Sequence, residues 1–250
     1  MPPLLEVRDL RLSFGGIEAL GGISLSVVEG ETLALIGPNG SGKTSLFNCI
    51  TGLYRPASGA VTFAGQGLLG LSPDAVTHRG IARTFQNLRL FPSMTVLDNL
   101  MLGRHLHFRR SLLDTMLRRR EEEIRHRRHC EEIIEFLDLP AWRKRRVGDC
   151  PYGVQKRVEL GRALATEPRL LLLDEPVSGL TQEEKEEFSY WVHEIRGRFG
   201  ITILLVEHDL RVASRLASRM VVLDHGVKIT EGTPAQVQRH PEVIKAYLGE

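Results

Sequence analysis

Eight residues, Gly37-Pro38-Asn39-Gly40-Ser41-Gly42-Lys43-Thr44, constrain this chain more than any other part of it. They match the pattern GxxxxGK[ST], follow the strand-like run Thr32 to Ile36, and precede a helical segment ending near Gly52. Strand, loop and helix thus come in the order that the pattern needs. The glycines let backbone N–H groups curl around phosphate oxygens, and the following helix directs its partly positive N-terminus there. Lys43 adds a full charge, Thr44 offers a hydroxyl to Mg²⁺, and Ser45, next along the helix, joins the phosphate-binding set. Cys49 and Ile50 read as helix core.

Around this loop, apolar strand-like segments recur at Leu4 to Val7, Leu33 to Ile36, Arg169 to Leu173, Ile201 to Val206 and Met220 to Leu223, with helical patterns between several of them. That alternation predicts an α/β fold. The stretch from about Thr95 to Arg146 differs: it opens on the capping-box-like Thr95-Val96-Leu97-Asp98 and stays helix-prone without a convincing strand. It predicts a helical subdomain, about 95–146, inserted into a core lobe of about 1–94 and 147–250, the whole 1–250 forming one domain.

Composition narrows the setting. With 42% hydrophobic and 26% charged residues and no apolar run near membrane-spanning length, the chain is not expected to cross a bilayer, and Met1 to Glu6 lack a secretory signal's features. Cys49, Cys130 and Cys150 are far apart with no CxxC pair, so buried free thiols are expected. A net charge of +2 implies no strong global attraction to nucleic acid, although basic residues concentrate between Arg104 and Arg128. Glu121 to Glu123 interrupt that run, which suggests a solvated helix face with Ile124, Ile133, Ile134 and Leu137 on its buried side.

A second chemical signal is the apolar run Leu170 to Leu173 that ends abruptly in Asp174-Glu175-Pro176. Buried parallel strands present such ends to ligands in α/β sheets. There Asp174 can hold Mg²⁺ and Glu175 can orient or deprotonate an attacking water.

With these elements in order, the chain resembles an ATP-binding-cassette (ABC) ATPase along nearly its whole length: a P-loop NTPase core with an inserted helical subdomain, binding ATP and Mg²⁺. The resemblance implies that Gln86, in Thr84-Phe85-Gln86-Asn87, belongs to a glutamine loop reaching Mg²⁺ and the attacking water. It implies that His208, in Val206-Glu207-His208-Asp209, is a switch histidine contacting the γ-phosphate, and that Phe14 stacks on adenine. The family's LSGGQ signature is altered here to Cys150-Pro151-Tyr152-Gly153-Val154. In the family that segment faces the γ-phosphate held by the opposite subunit, so Tyr152, Gly153 and Val154 enter the nucleotide-binding set. Pro151 replaces the signature serine, Val154 replaces a polar side chain, and Thr181 stands where many members place aspartate.

Phe14-Gly15-Gly16, the Tyr-Gly signature and the ending Glu231-Gly232-Thr233-Pro234 to Ala246-Tyr247-Leu248-Gly249-Glu250 are most similar to ATPase subunits of branched-chain amino-acid importers. That resemblance implies an ATP-hydrolysing motor subunit on the cytoplasmic face of the inner membrane. Its partners would be a second ATPase subunit, transmembrane permease subunits and, through the permease, an external solute-binding protein. The alternatives are a cassette for urea or lipopolysaccharide transport, or a non-transport cassette acting on nucleic acid or ribosomes. Asn87 to Met94 are expected to line the groove for the permease.

Overall fold

The computed structural model describes residues 2–108 and 119–248. Its elements are β1 (Leu5–Phe14), β2 (Ile17–Val27), β3 (Thr32–Ile36), α1 (Lys43–Ile50), β4 (Ser58–Phe63), β5 (Gln66–Gly67), α2 (Pro73–His78) and β6 (Ile81–Arg83). Then follow α3 (Val96–Gly103), α4 (Arg119–Phe136), α5 (Tyr152–Leu164), β7 (Leu170–Asp174), α6 (Gln182–Phe199) and β8 (Thr202–Glu207). The chain closes with α7 (Leu210–Leu216), β9 (Arg219–Asp224), β10 (Val227–Gly232), α8 (Pro234–Gln238) and α9 (Pro241–Leu248). Two compact units result, one of residues 1–81, 169–176 and 192–250, the other of 82–168 and 177–191.

The first unit holds two sheets. One is antiparallel, in the order β2-β1-β4-β5; the other runs β10-β9-β3-β8-β7-β6, with β6 beginning at Ile81, where the chain leaves the unit. In the second sheet β3 lies parallel to both β8 and β9, and β7 parallel to β8. Every residue of β3, β7 and β8 is buried, which explains the continuous apolar runs Leu33 to Ile36, Leu170 to Leu173 and Ile203 to Val206 within them: strands covered on both faces have no solvent side to alternate with. Their side chains join those of β1, β2, β4 and α1 in one core that includes Leu33, Leu35, Phe47, Leu172 and Val206.

The antiparallel sheet was legible at one end only, Leu4 to Val7, because its alternation is broken. β1 and β2 pair from Leu5↔Val27 to Phe14↔Ile17 with three register shifts on the way, so inward positions do not recur strictly at every second residue. A tight turn at Gly15-Gly16 ends the hairpin and leaves Phe14 at its tip.

The second unit is mainly helical. The capping box forms as expected: the Thr95 hydroxyl accepts the Asp98 N–H at 3.1 Å, while the Asp98 carboxylate accepts the Thr95 N–H at 3.4 Å. α3, α4 and α5 pack on one another, with Gly161 of α5 meeting Leu100 and Leu137. Along α4 the buried stripe is His126, Cys130, Ile133 and Ile134, continued by Leu137. Ile124 corrects the expectation, since it is 49% exposed. It lies two residues before His126, which on a helix is the opposite face. Arg125, Arg127 and Arg128 are exposed, whereas residues 109–118 of the basic run lie outside the described residues.

Candidate phosphate-binding and hydrolytic site

In the first unit, β3 delivers the chain to the loop and α1 begins at Lys43, capped by Gly42 with φ 101°. Gly37 is the tightest point. Its φ is 151°, and a Cβ built there would sit 2.1 Å from the Leu223 carbonyl oxygen of β9, so only glycine lets the loop leave β3 this close to its neighbour. Lys43 is 5% exposed, and its ammonium donates to the Gly37 carbonyl at 2.7 Å and the Pro38 carbonyl at 2.9 Å. Burial lowers its pKa, opposed by the charges of Glu175, Asp174 and Glu207. Thr44 is exposed on the first turn of α1, Ser45 partly so, and Asn39 and Gly40 are exposed at the crest of the loop.

Three acids therefore face one ammonium. Asp174, the last residue of β7, is 4% exposed. Glu175 follows in a left-handed conformation at φ 45°, with its N–H donated to the Val206 carbonyl of β8 at 3.0 Å. That backbone turn is unusual for a residue with a side chain and points the carboxylate off the line of the strand. Glu207, buried to 1% exposure at the end of β8, was not singled out from sequence. The signal was present, since Leu204-Leu205-Val206-Glu207 repeats the apolar-run-then-acid pattern of β7. His208 comes next, and its Nδ1 lies 3.6 Å from Glu175 Oε2.

Phe14, 47% exposed, meets Tyr54 edge-to-face with ring centroids 5.2 Å apart, a second surface aromatic that sequence reading missed. Residues Pro38 to Ser41 of the loop also line a cavity of about 800 Å³ together with Asp224, His225, Glu242 and Lys245, the last two from α9.

The second unit carries the remaining residues. Gln86 is exposed, and its carbonyl accepts from Lys156 Nζ at 3.4 Å. Pro151 is the N-cap of α5 and supplies no side-chain bond; Tyr152, Gly153 and Val154 are the first three helical residues. Val154 is 4% exposed, so its side chain belongs to the core and only its N–H is on offer at the helix start. The Tyr152 ring packs on Gly179, and Glu184 lies so close to Gly153 that a Cβ there would fall 2.1 Å from its Oε1. Thr181 caps α6: its hydroxyl accepts the Glu184 N–H at 3.3 Å, and Glu184 Oε2 accepts the Thr181 N–H at 2.9 Å.

Comparison with known proteins adds the family. Residues 20–178 match the family described as ABC transporter. The chain belongs to the ABC transporter ATP-binding family. As an ABC ATPase it binds and hydrolyses ATP, and it has the P-loop NTPase fold. Residues 227–250 of this cassette also match the family described as branched-chain amino acid ATP-binding cassette transporter. It is 38% identical to the high-affinity branched-chain amino acid transport ATP-binding protein BraF of Pseudomonas aeruginosa, over 99% of this chain and 98% of the relative. The Escherichia coli protein of the same description, LivG, is likewise 38% identical over 99% and 98%. Among solved structures, a nucleotide-free ATP-binding cassette from an ABC transporter superposes with a TM-score of 0.87 at 33% identity, covering 100% of both chains. A dimeric bacterial ABC transporter cassette does so with 0.79 at 26% identity, covering 92% of this chain and 98% of that one. Among the described residues of the cassette, no helix is long and apolar enough to cross a membrane.

Proposed function

We propose that this cassette is the motor of a branched-chain amino-acid importer and that Lys43, Asp174, Glu175 and His208 carry its hydrolysis. The observation behind the site is the convergence of one buried ammonium and three acids at the ends of β3, β7 and β8. The ammonium suits polyphosphate, and the carboxylates with the Thr44 hydroxyl form the hard-oxygen set that suits Mg²⁺. Thr44 and Asp174 would hold that ion, and the family resemblance gives Gln86 a part in the same chemistry; bound there, the ion would offset charge on the phosphates.

The loop amides from Gly37 to Thr44, with Ser45, fix the β- and γ-phosphates, and Lys43 turns from its own loop carbonyls to them. Phe14 stacks on adenine, supported by the edge of Tyr54. Glu175 orients the attacking water and takes its proton, while His208 holds the γ-phosphate. Tyr152, Gly153 and the Val154 N–H at the start of α5 engage nucleotide held by a second cassette, the helix dipole standing in for the missing serine.

The match over 227–250 and the two relatives favour branched-chain amino acids as the transported solute. On this reading the cassette sits peripherally at the cytoplasmic membrane face beneath two permease subunits, served by an external solute-binding protein. The exposed Phe91 and Met94 suit a permease helix docked along Asn87 to Met94. The test is reconstitution with its permease subunits: leucine, isoleucine or valine with the solute-binding protein should stimulate ATPase activity. Stimulation by urea or lipopolysaccharide alone would reassign the solute, and basal activity without response to any solute would reject the importer.

A further inference from the structure

Gln86 lies in a segment, 84–90, that has no helix or strand of its own. One face of α5 holds it. Glu159, 2% exposed, accepts the Phe85 N–H at 3.3 Å and the Arg89 N–H at 3.4 Å on the same carboxylate oxygen. Lys156 donates to the Gln86 carbonyl at 3.4 Å, and Arg162 donates to the Arg89 carbonyl. Spacing of three residues puts 156, 159 and 162 on one side of the helix. Four backbone groups between Phe85 and Arg89 are thus fastened to three charged side chains. Burial pushes the Glu159 carboxyl upward, against Lys156 and the two amides, which favour its charged form.

We infer that Glu159 is a positioning residue that sets Gln86 from the helix whose first turn carries Tyr152 and Gly153. Because α5 is one continuous helix, engagement of its N-terminus by nucleotide on a second cassette shifts Glu159, and Glu159 carries the glutamine segment with it. The inference rests on the proposed part of Gln86 in hydrolysis.

The experiment is a double-mutant cycle in the reconstituted transporter with Glu159→Ala, Glu159→Gln, Gln86→Ala and the combined variants. Glu159→Ala should lower kcat by about three- to thirtyfold with KM for ATP nearly unchanged, the range for a residue that acts through another. Glu159→Gln, keeping one acceptor oxygen, should recover part of the loss. Gln86→Ala with Glu159→Ala should turn over no more slowly than Gln86→Ala alone. Amide exchange at Phe85 and Arg89 should quicken in Glu159→Ala and stay slow in Gln86→Ala. Additive losses, an inert Gln86→Ala, a raised KM with kcat intact, or unchanged exchange each overturn the inference. Should Glu159→Ala not fold, the Gln variant carries the same cycle. Near-normal hydrolysis in Glu175→Gln would instead reject the proposed hydrolytic site, an outcome separate from additivity in the cycle.

Discussion

His208 Nδ1 lies 3.6 Å from Glu175 Oε2, and the two residues follow the ends of adjacent parallel strands. Glu175 is sheltered, with its side chain 13% exposed, while His208 is half open at 50%. One wall of the site is thus a fixed carboxylate and the other a ring that solvent reaches.

Replacing Glu175 by Gln keeps the shape and removes the proton acceptor. Turnover should fall by about 10²- to 10⁴-fold, the range for a positioned acid or base, with ATP binding preserved. Steady-state phosphate release and a nucleotide titration on the same preparation check this; near-normal hydrolysis would rule out Glu175 as the base.

Pro151 caps α5 without a side-chain bond. Pro151→Ser adds a hydroxyl that can accept an N–H of the first turn, worth about 0.5–2 kcal/mol to the helix, and restores the phosphate partner of the family's signature. ATP-driven dimerisation should strengthen and turnover rise. Sedimentation of the Glu175→Gln background with ATP measures the first, and an unchanged rate in Pro151→Ser alone would count against the second.

Thr181 departs from the family's aspartate, yet it caps α6 by the reciprocal bonds with Glu184. Aspartate and threonine are both good N-caps, so Thr181→Asp should leave thermal unfolding nearly unchanged, whereas Thr181→Ala should cost about 1 kcal/mol. Equal melting of the alanine variant would show that the box contributes nothing.

These cases mark where the sequence was readable. The phosphate loop and the end of β7 stood out because motif glycines and a buried apolar run closed by an acid leave clear signals at Gly37 to Thr44 and Leu170 to Asp174, whereas the acid closing β8, Glu207, was passed over. Most of β1 and β2 did not, because register shifts scramble their alternation. Ile124 was misplaced because a charged helix carries too few apolar residues to define its stripe, and His126 with Cys130 supplies the buried positions instead. The cap at Thr181 and the Glu159 clasp depend on which distant side chain arrives, and no local pattern encodes that.

Acid should weaken the second unit. Arg104 Nε donates to His126 Nδ1 at 3.1 Å, which requires a neutral ring, and burial with Arg104 lowers the pKa of both His126 and His129. Around His126 stand Glu122, Arg125 and His107; around His129, Glu132, Glu167 and His107. Both pKa values are depressed in the fold, so the unfolded chain binds the extra protons. The stability these rings contribute is whole above the unfolded value of about 6.5 and is lost as pH falls through the folded values. Melting temperature should hold between about pH 8 and 7 and drop below about 6.5, and His126→Gln should flatten that slope. A His126→Gln profile parallel to the parent would reject the assignment.

Cys49, Cys130 and Cys150 are all free and all buried, and burial pushes the first two up to about 11 and about 12. At neutral pH they stay protonated and shielded, poor targets for maleimides or spin labels. A cysteine introduced at an exposed position such as Ile17 or Tyr190 would therefore be modified against a silent background. Distances between paired cassettes become measurable by fluorescence or spin-label spectroscopy with every native thiol left in place.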